Sequence, residues 1–144
     1  MSSFMSLAID EAERAAARGE VPVGAVLVEA ASATVLAASG NRVVEFGDPT
    51  AHAEMLVLRG AGRARLDDCD LYVSLEPCAM CAAAISLARI RRLYFGAYDP
   101  KGGAVDHGPR WFQQPTCLHR PEIYGGIDEI RAGELLRHFF RARR

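Results

Sequence analysis

Segments with the apolar spacing of helices alternate with short apolar segments typical of strands, and this alternation constrains the fold more than any other feature of the sequence. The predicted helices cover residues 4–19, 50–62, 77–88 and 127–141, and the predicted strands cover residues 21–28, 35–38, 71–75 and 92–95. The first two strands flank a short turn and form a predicted hairpin. Because strands and helices alternate, the pattern favours a layered α/β fold with parallel strand pairing.

Turn and capping residues set the expected ends of these elements. Thr50 is a candidate N-cap for the second helix, and Pro77 suits the first turn of the third. A polar loop is expected over residues 41–48. Residues 99–121 are rich in glycine and proline and form a predicted long loop, and loops of that length are usually functional or disordered.

The composition is that of a globular protein. With 144 residues, 50% of them hydrophobic and 24% charged, the chain is long enough to bury a core without disulfide support, so we expect one domain over residues 1–144. No apolar run approaches the roughly 20 residues of a membrane helix, and the N-terminal segment is charged where a signal peptide is apolar. We therefore expect a soluble, cytoplasmic protein with no membrane partner, whose cysteines are metal ligands or buried thiols rather than disulfides.

The net charge of −1 conceals a basic C-terminus, because residues 131–144 contain five arginines and one glutamate. Arginine is well suited to bidentate contact with phosphate. From charge alone, however, a solvated helix face explains this stretch more readily than a binding surface. Phe139 and Phe140 are adjacent within it, so at least one of them is expected to face the core.

Two short motifs carry candidate metal ligands. His52 and Glu54 open the second predicted helix, and Cys78 and Cys81 open the third. The two cysteines lie three residues apart on one helix face, and a helix N-terminus favours the thiolate that zinc requires. One His and two Cys are one ligand fewer than a structural zinc site has, so the motifs predict a catalytic zinc with an open position for an activated water. Glu54 is then expected to carry protons.

Other interpretations of the cysteines remain open. A Cys-x-x-Cys pair alone can be two buried thiols or half of a structural site, and Cys117, His107 or His119 could then supply a fourth ligand. Such a site would make the chain a non-catalytic, zinc-stabilised RNA-binding domain. Cys69, just before a strand, is expected to be a buried apolar thiol. The combination of His-x-Glu with a later Pro-Cys-x-x-Cys is nevertheless the signature of zinc deaminases that act on nucleobases.

Further sequence blocks extend over nearly the whole chain. They are Glu-Val-Pro-Val-Gly-Ala-Val at 20–26, Gly-Asn-Arg at 40–42, Thr-Ala-His-Ala-Glu at 50–54, the stretch 71–81 that ends in the cysteine motif, Phe-Gly-Ala at 95–97 and Phe-Phe-Arg at 139–141. In these blocks the chain resembles the cytidine deaminase superfamily and, more closely, its bacterial tRNA-specific adenosine deaminases. The resemblance implies a three-layer α/β/α fold with a mixed five-stranded sheet, a homodimer, and one Zn²⁺ per chain held by His52, Cys78 and Cys81.

The same resemblance implies a reaction and a binding site. The reaction is hydrolytic deamination of adenosine to inosine at the wobble position of a tRNA anticodon loop, with Glu54 moving the protons and the target base splayed out of its loop. Asn41 is expected to bond to the base or its ribose, the backbone around Ala51 and Glu76 to read the ring edge, and Val23 and Leu75 to pack on the ring faces. The residues expected to contact the anticodon stem-loop are Asp99, Lys101, Phe140, Arg141, Arg143 and Arg144.

One segment departs from the family's usual sequence. Residues 104–121 include an Asp-His-Gly-Pro-Arg-Trp run that differs from other members. This loop could instead act as a lid over a small substrate. The alternative function is therefore a free nucleobase or nucleoside deaminase, of the guanine or cytosine type, that uses the same zinc site.

Overall fold

Five strands form a single mixed sheet in the computed structural model, which describes residues 3–143. The strands are β1 (Gly24–Glu29), β2 (Thr34–Gly40), β3 (Cys69–Leu75), β4 (Arg92–Ala97) and β5 (Glu122–Tyr124). The helices are α1 (Phe4–Ala17), α2 (Val43–Phe46), α3 (Ala53–Gly60), α4 (Ala79–Leu87) and α5 (Glu129–Arg141), with a 3₁₀ helix at Trp111–Gln113. The predicted mixed five-stranded sheet is confirmed.

The order of the strands follows from their connections. Across the sheet the order is β2-β1-β3-β4-β5, with β1 antiparallel to both β2 and β3. A short turn joins β1 to β2, so this pair forms the predicted hairpin. Helix α4 joins β3 to β4, and β3, β4 and β5 run parallel. The prediction of parallel pairing is therefore correct for β3, β4 and β5 and wrong for β1 and β2.

Helices cover both faces of the sheet, as a three-layer α/β/α fold requires. On one face α1 and α5 bury Met5, Ile9 and Ala132 against the sheet. On the other face α3 and α4 bury Val57 and Ile85 in the larger cluster of core side chains. Both faces of the central strands are therefore covered, and in β1 and β3 every residue is buried except the partly buried Glu29, Tyr72 and Leu75.

The approach of α1 to the sheet depends on Gly24, the first residue of β1. A Cβ atom at this position would lie 2.0 Å from the Ala8 carbonyl oxygen and 2.5 Å from the Ala12 amide nitrogen. Both of these atoms belong to the backbone of α1, so the helix could not keep its place over a side chain. The glycine thus sets the distance between this layer and the sheet.

Several predicted boundaries are wrong. His52, and not Thr50, is the N-cap residue of α3, because both the amide and the hydroxyl of Thr50 donate to Asp48 Oδ1. Pro77 lies before the N-cap of α4 rather than in its first turn. Within the expected polar loop 41–48 the chain forms the short helix α2, and the long loop 99–121 contains the 3₁₀ helix.

The C-terminal elements also differ from the sequence pattern. The three residues of β5 were not predicted individually, although the resemblance implied a fifth strand. Helix α5 begins at Glu129 rather than at residue 127, after Asp128 in a left-handed conformation with φ 58°. Over residues 3–143, none of the helices has the length and apolar character needed to cross a membrane.

Candidate metal centre and adjoining groove

The N-termini of α3 and α4 lie next to each other and bring three potential metal ligands together. His52 and Cys78 are the N-cap residues of the two helices, and Cys81 lies in the first turn of α4. His52 Nδ1 is 3.6 Å from Cys78 Sγ and 3.5 Å from Cys81 Sγ, and all three donor atoms lie within 4.8 Å of one another. Ligands of a tetrahedral zinc ion with usual bond lengths lie about 3.5–3.8 Å apart. The donor set and its spacing therefore fit Zn²⁺.

A hydrogen bond between Cys78 and Cys81 shifts the pKa values of the two thiols in opposite directions. The bond from Cys81 lowers the pKa of Cys78 to about 4, and His52 acts in the same direction. The pKa of Cys81 is raised, because this thiol donates to Cys78 and is buried. The cluster therefore readily supplies a thiolate beside an imidazole, which is a preferred donor pair for zinc.

Glu54 lies beside this cluster in the first turn of α3. Glu54 is 3% exposed, and burial raises the pKa of its carboxyl group to about 7. Oxygen Oε1 has no hydrogen-bond partner among the described residues. A buried carboxylate oxygen without a hydrogen-bond partner lowers the stability of the fold. Its presence therefore indicates that Glu54 acts on a bound ligand.

A cavity of about 420 Å³ opens in front of His52, Glu54 and Cys78. Of the residues predicted to hold a base, those that line this cavity are Val23, Asn41, Leu75 and Glu76. Ala51 does not line it. The Ala51 amide donates to the Asp48 carbonyl and its carbonyl accepts from the Arg42 amide, at 3.1 and 3.0 Å. Contacts of these residues with a base remain predictions.

Asn41 links the cavity to the start of α3. Its Oδ1 accepts a hydrogen bond of 2.8 Å from the Ala53 amide, the first amide of that helix. The side-chain oxygen is thereby occupied and its orientation fixed, so Nδ2 is the group left to donate to a ligand. Sequence analysis assigned the capping role to Thr50 and, although it named Asn41 as a base contact, did not predict this bond, whose two residues lie 12 positions apart.

Two buried glutamates hold the walls of the cavity, and sequence analysis missed the role of both carboxylates. Glu20, which is 2% exposed, accepts hydrogen bonds from the amides of Val44 and Glu45 and so fixes α2 at one wall. Glu76 fixes the opposite wall through its side chain, while its own amide donates to the Ala97 carbonyl. Burial opposes ionisation of Glu76, but hydrogen bonds outweigh this effect and its pKa is lowered. Both glutamates border apolar strand segments, which is the sequence signal that marks them.

A basic groove of about 900 Å³ adjoins the cavity and shares Val21, Leu75 and Asp99 with it. The predicted RNA-contacting residues that line it are Asp99, Lys101, Phe140, Arg141 and Arg143. Arg144 lies outside the described residues. The groove also contains Arg137, which was not singled out although it lies one helical turn before Arg141.

The two adjacent phenylalanines of α5 have different environments. Phe139 is 6% exposed and packs in the core, whereas Phe140 is 49% exposed and lines the groove. The Arg143 guanidinium lies 3.6 Å from the centre of the Phe139 ring. The expectation that at least one of the pair faces inward is confirmed, and the other offers an aromatic ring to a ligand.

The candidate fourth ligands do not reach the metal centre. His107 Nδ1 bonds to Glu76 Oε1 at 2.8 Å, and His119 Nε2 bonds to the Ile90 carbonyl at 2.7 Å. Cys117 Sγ lies 3.4 Å from Ser86 Oγ. Over residues 3–143, His52, Cys78 and Cys81 form the one metal-ligand cluster, so the interpretation as a four-ligand structural site is wrong. Cys69 is fully buried, as expected, but its surroundings are not apolar, because its thiol donates to Asp68 Oδ1 and accepts from Arg63. Burial, together with the bond to Asp68, raises the pKa of Cys69 to about 11.

Comparison with known proteins agrees with this geometry. Residues 1–97 match the model of the cytidine and deoxycytidylate deaminase zinc-binding region. The tRNA-specific adenosine deaminase of Agrobacterium fabrum is 59% identical over 98% of this chain and 94% of its own length. The enzyme of the same name from Aquifex aeolicus is 43% identical over 96% of this chain and 92% of its own length.

Solved structures show the same similarity. One, from a study of A-to-I editing by tRNA:A34 deaminases at the wobble position of transfer RNA, superposes with a TM-score of 0.89 at 58% identity, over 92% of this chain and 98% of that one. Guanine deaminase from Bacillus subtilis superposes less closely, with a TM-score of 0.63 at 30% identity, over 86% of this chain and 85% of that one.

Proposed function

The chain belongs to the cytidine and deoxycytidylate deaminase zinc-binding family, and from this premise we propose that it converts adenosine to inosine, by hydrolysis, at the wobble position of a tRNA anticodon loop. The observation that carries the proposal is the junction of two surfaces. A cavity with a His-Cys-Cys cluster and an unpaired buried glutamate opens directly into a basic groove with an exposed aromatic ring. The names of the similar tRNA deaminases support the same substrate.

The chemistry needs a nucleophile, a proton carrier and a held base. Zinc on His52, Cys78 and Cys81 supplies, when bound, the Lewis acidity that makes water nucleophilic at neutral pH. Glu54 takes a proton from the attacking water and passes it to ring N1, then takes the remaining proton of the added hydroxyl group and delivers it to the departing amine. Adenosine and water thus give inosine and ammonia. Asn41 holds the base or ribose through Nδ2.

The cavity and the groove divide the binding of the RNA between them. Val23 and Leu75 pack on the faces of the flipped base, and the carbonyl of Glu76 remains available to its edge. In the groove Phe140 stacks on an unpaired neighbouring base, because base stacking on an aromatic ring suits a single-stranded loop. Lys101 and the arginines of the C-terminus, Arg144 included, pair with phosphates.

Three further properties are part of the proposal. Each chain holds one Zn²⁺, because its three ligands come from one chain. The protein forms a homodimer, for which the apolar side chains of Leu87 and Leu118, 81% and 84% exposed, supply a surface. It acts in the cytoplasm, where its tRNA substrate is found.

The test is an incubation of zinc-loaded protein with an anticodon stem-loop that carries adenosine at the wobble position. We expect inosine at that position and no change at adenosines elsewhere in the stem. Glu54→Gln is the matched variant, and it should retain zinc while losing about 10²–10⁴ in rate, the usual contribution of a general acid–base group. Absence of inosine, together with turnover of free guanine or cytosine, would replace this proposal by the alternative of a small-substrate deaminase.

A further inference from the structure

The Glu76 carboxylate lies where β3 ends and α4 approaches, and it ties down the loop that follows β4. The residue is 2% exposed. Oxygen Oε1 accepts from the Asp99 amide at 3.0 Å and from His107 Nδ1 at 2.8 Å. Oxygen Oε2 accepts from the amides of Val105 and Asp106 at 3.1 and 2.9 Å. Both ends of the segment 99–107 are therefore bound to one carboxylate.

His107 is the one side chain among these four donors, and it belongs to the segment that departs from the family's usual sequence. The other three donors are backbone amides, which any residue except proline supplies. The His107 ring also lies edge-on to Tyr98, with ring centres 6.2 Å apart and planes at 75°. Without His107, one of the two hydrogen bonds to the buried oxygen Oε1 would be lost.

Between its two ends the segment 99–107 turns tightly over Glu76. Asp99 Oδ1 accepts from the amides of Lys101 and Gly102 at 3.2 and 3.0 Å, which places Lys101 at the exposed top of the turn. A Cβ atom on Gly103 would lie 2.5 Å from Glu76 Cδ, so the backbone rests directly on the carboxylate. The position of Lys101 in the groove therefore depends on how firmly this carboxylate is held.

We infer that His107 is a positioning residue, which fixes the segment 99–107 through Glu76 so that Lys101 meets a phosphate next to the target nucleotide. The inference rests on the proposed function, since it concerns RNA bound in the same groove. His107 does not touch the reacting atoms. It gives the variant loop a role in holding the substrate rather than in closing over a small one.

Two isosteric variants distinguish the hydrogen bond from the bulk of the ring. In the His107→Asn variant the side-chain amide nitrogen occupies the place of Nδ1, whereas His107→Gln places its nitrogen where Nε2 lies. We expect His107→Ala and His107→Gln to raise KM for the stem-loop roughly tenfold with little change in kcat, as for the loss of a hydrogen bond to a charged group. His107→Asn should restore KM. Zinc content and the unfolding temperature are measured for all three variants as controls.

A double-mutant cycle tests whether His107 acts through Lys101. If it does, Lys101→Ala combined with His107→Gln should be no worse than Lys101→Ala alone. Additive effects on KM, equal KM values for the His107→Asn and His107→Gln variants, or a loss confined to kcat would each overturn the inference. Wild-type protein that forms no inosine would instead refute the proposed function, so the two failures are distinguishable.

Discussion

The charge of the groove predicts how RNA binding depends on salt. Lys101, Arg141 and Arg143 line the groove, and in the described part of the chain none of them forms an ion pair with a carboxylate. Each phosphate contact to a single strand contributes about 0.7 to the slope of log K against log salt. Replacing all three residues by alanine should therefore reduce that slope by about 2. The ratio of the RNA affinity of the parent protein to that of the triple variant should therefore fall about 20-fold as the salt concentration rises from about 50 to about 200 mM.

The dissociation constant is best measured in the Glu54→Gln background, so that bound RNA is not converted. Fluorescence anisotropy of a labelled stem-loop at several salt concentrations gives the slope directly. The matched control replaces Arg14, Arg65 and Arg92, which lie outside the groove and pair with carboxylates. It removes the same number of positive charges, so it corrects for the effect of net charge on association.

We expect the control variant to keep the slope of the parent protein to within about one phosphate contact. Equal slopes for the groove variant and its parent would refute the assignment of these side chains to phosphates. Equal losses in the groove and control variants would show that net charge, and not the groove, attracts the RNA. Either result would leave the assignment of the metal centre untouched.

Three further predictions concern single side chains. Phe139→Ala should lower the free energy of unfolding by about 3–5 kcal/mol, because it empties a core site, whereas Phe140→Ala should leave denaturant unfolding nearly unchanged and weaken RNA binding by about 1–3 kcal/mol. Gly24→Ala should destabilise the fold by about 1–3 kcal/mol in the same unfolding assay, since the new Cβ collides with the backbone of α1. Cys69 should resist alkylation in the native state: with its pKa raised to about 11, only about 1% of it is thiolate at pH 9, and labelling comparable to that of the denatured protein at this pH would contradict its burial.

Local sequence patterns predicted the features that depend on neighbours along the chain. In α1 the apolar residues that define the helix are three or four positions apart, and the turn between β1 and β2 is only a few residues long. The helix and the hairpin could therefore each be predicted from a short stretch of sequence. Cys78 and Cys81 are likewise three residues apart on one helix, and their shared face follows from helix geometry alone. His52, by contrast, could be assigned to the same site only because His-x-Glu followed by Pro-Cys-x-x-Cys is a known motif. No rule about neighbouring residues places it beside the cysteines.

The features that sequence analysis missed depend on contacts between distant segments. His52 is the N-cap residue of α3 but makes no capping bond with its side chain, and Asn41 accepts from the first amide of the helix instead. That role could be identified only once the strand before Asn41 was placed against the helix. Helix α2 has four residues and no buried side chain, and it is held from outside by Glu20, 24 residues before its contact at Val44. Strand β5 has three residues, too few to show a period of two. Such elements exist because of tertiary contacts.

The positions of the two buried glutamates explain how one scaffold can combine a fixed chemistry with a variable substrate. Glu20 precedes β1 and Glu76 follows β3, and these two strands are paired with each other in the centre of the sheet. Each carboxylate therefore lies close to an end of one of these paired strands, and each accepts from backbone amides of a segment at the rim of the cavity. Because backbone amides make all of these bonds except that of His107, the other side chains of the rim can change while its shape is kept. Substitutions such as those of residues 104–121 can thus alter which RNA is accepted without moving His52, Glu54 or the cysteines.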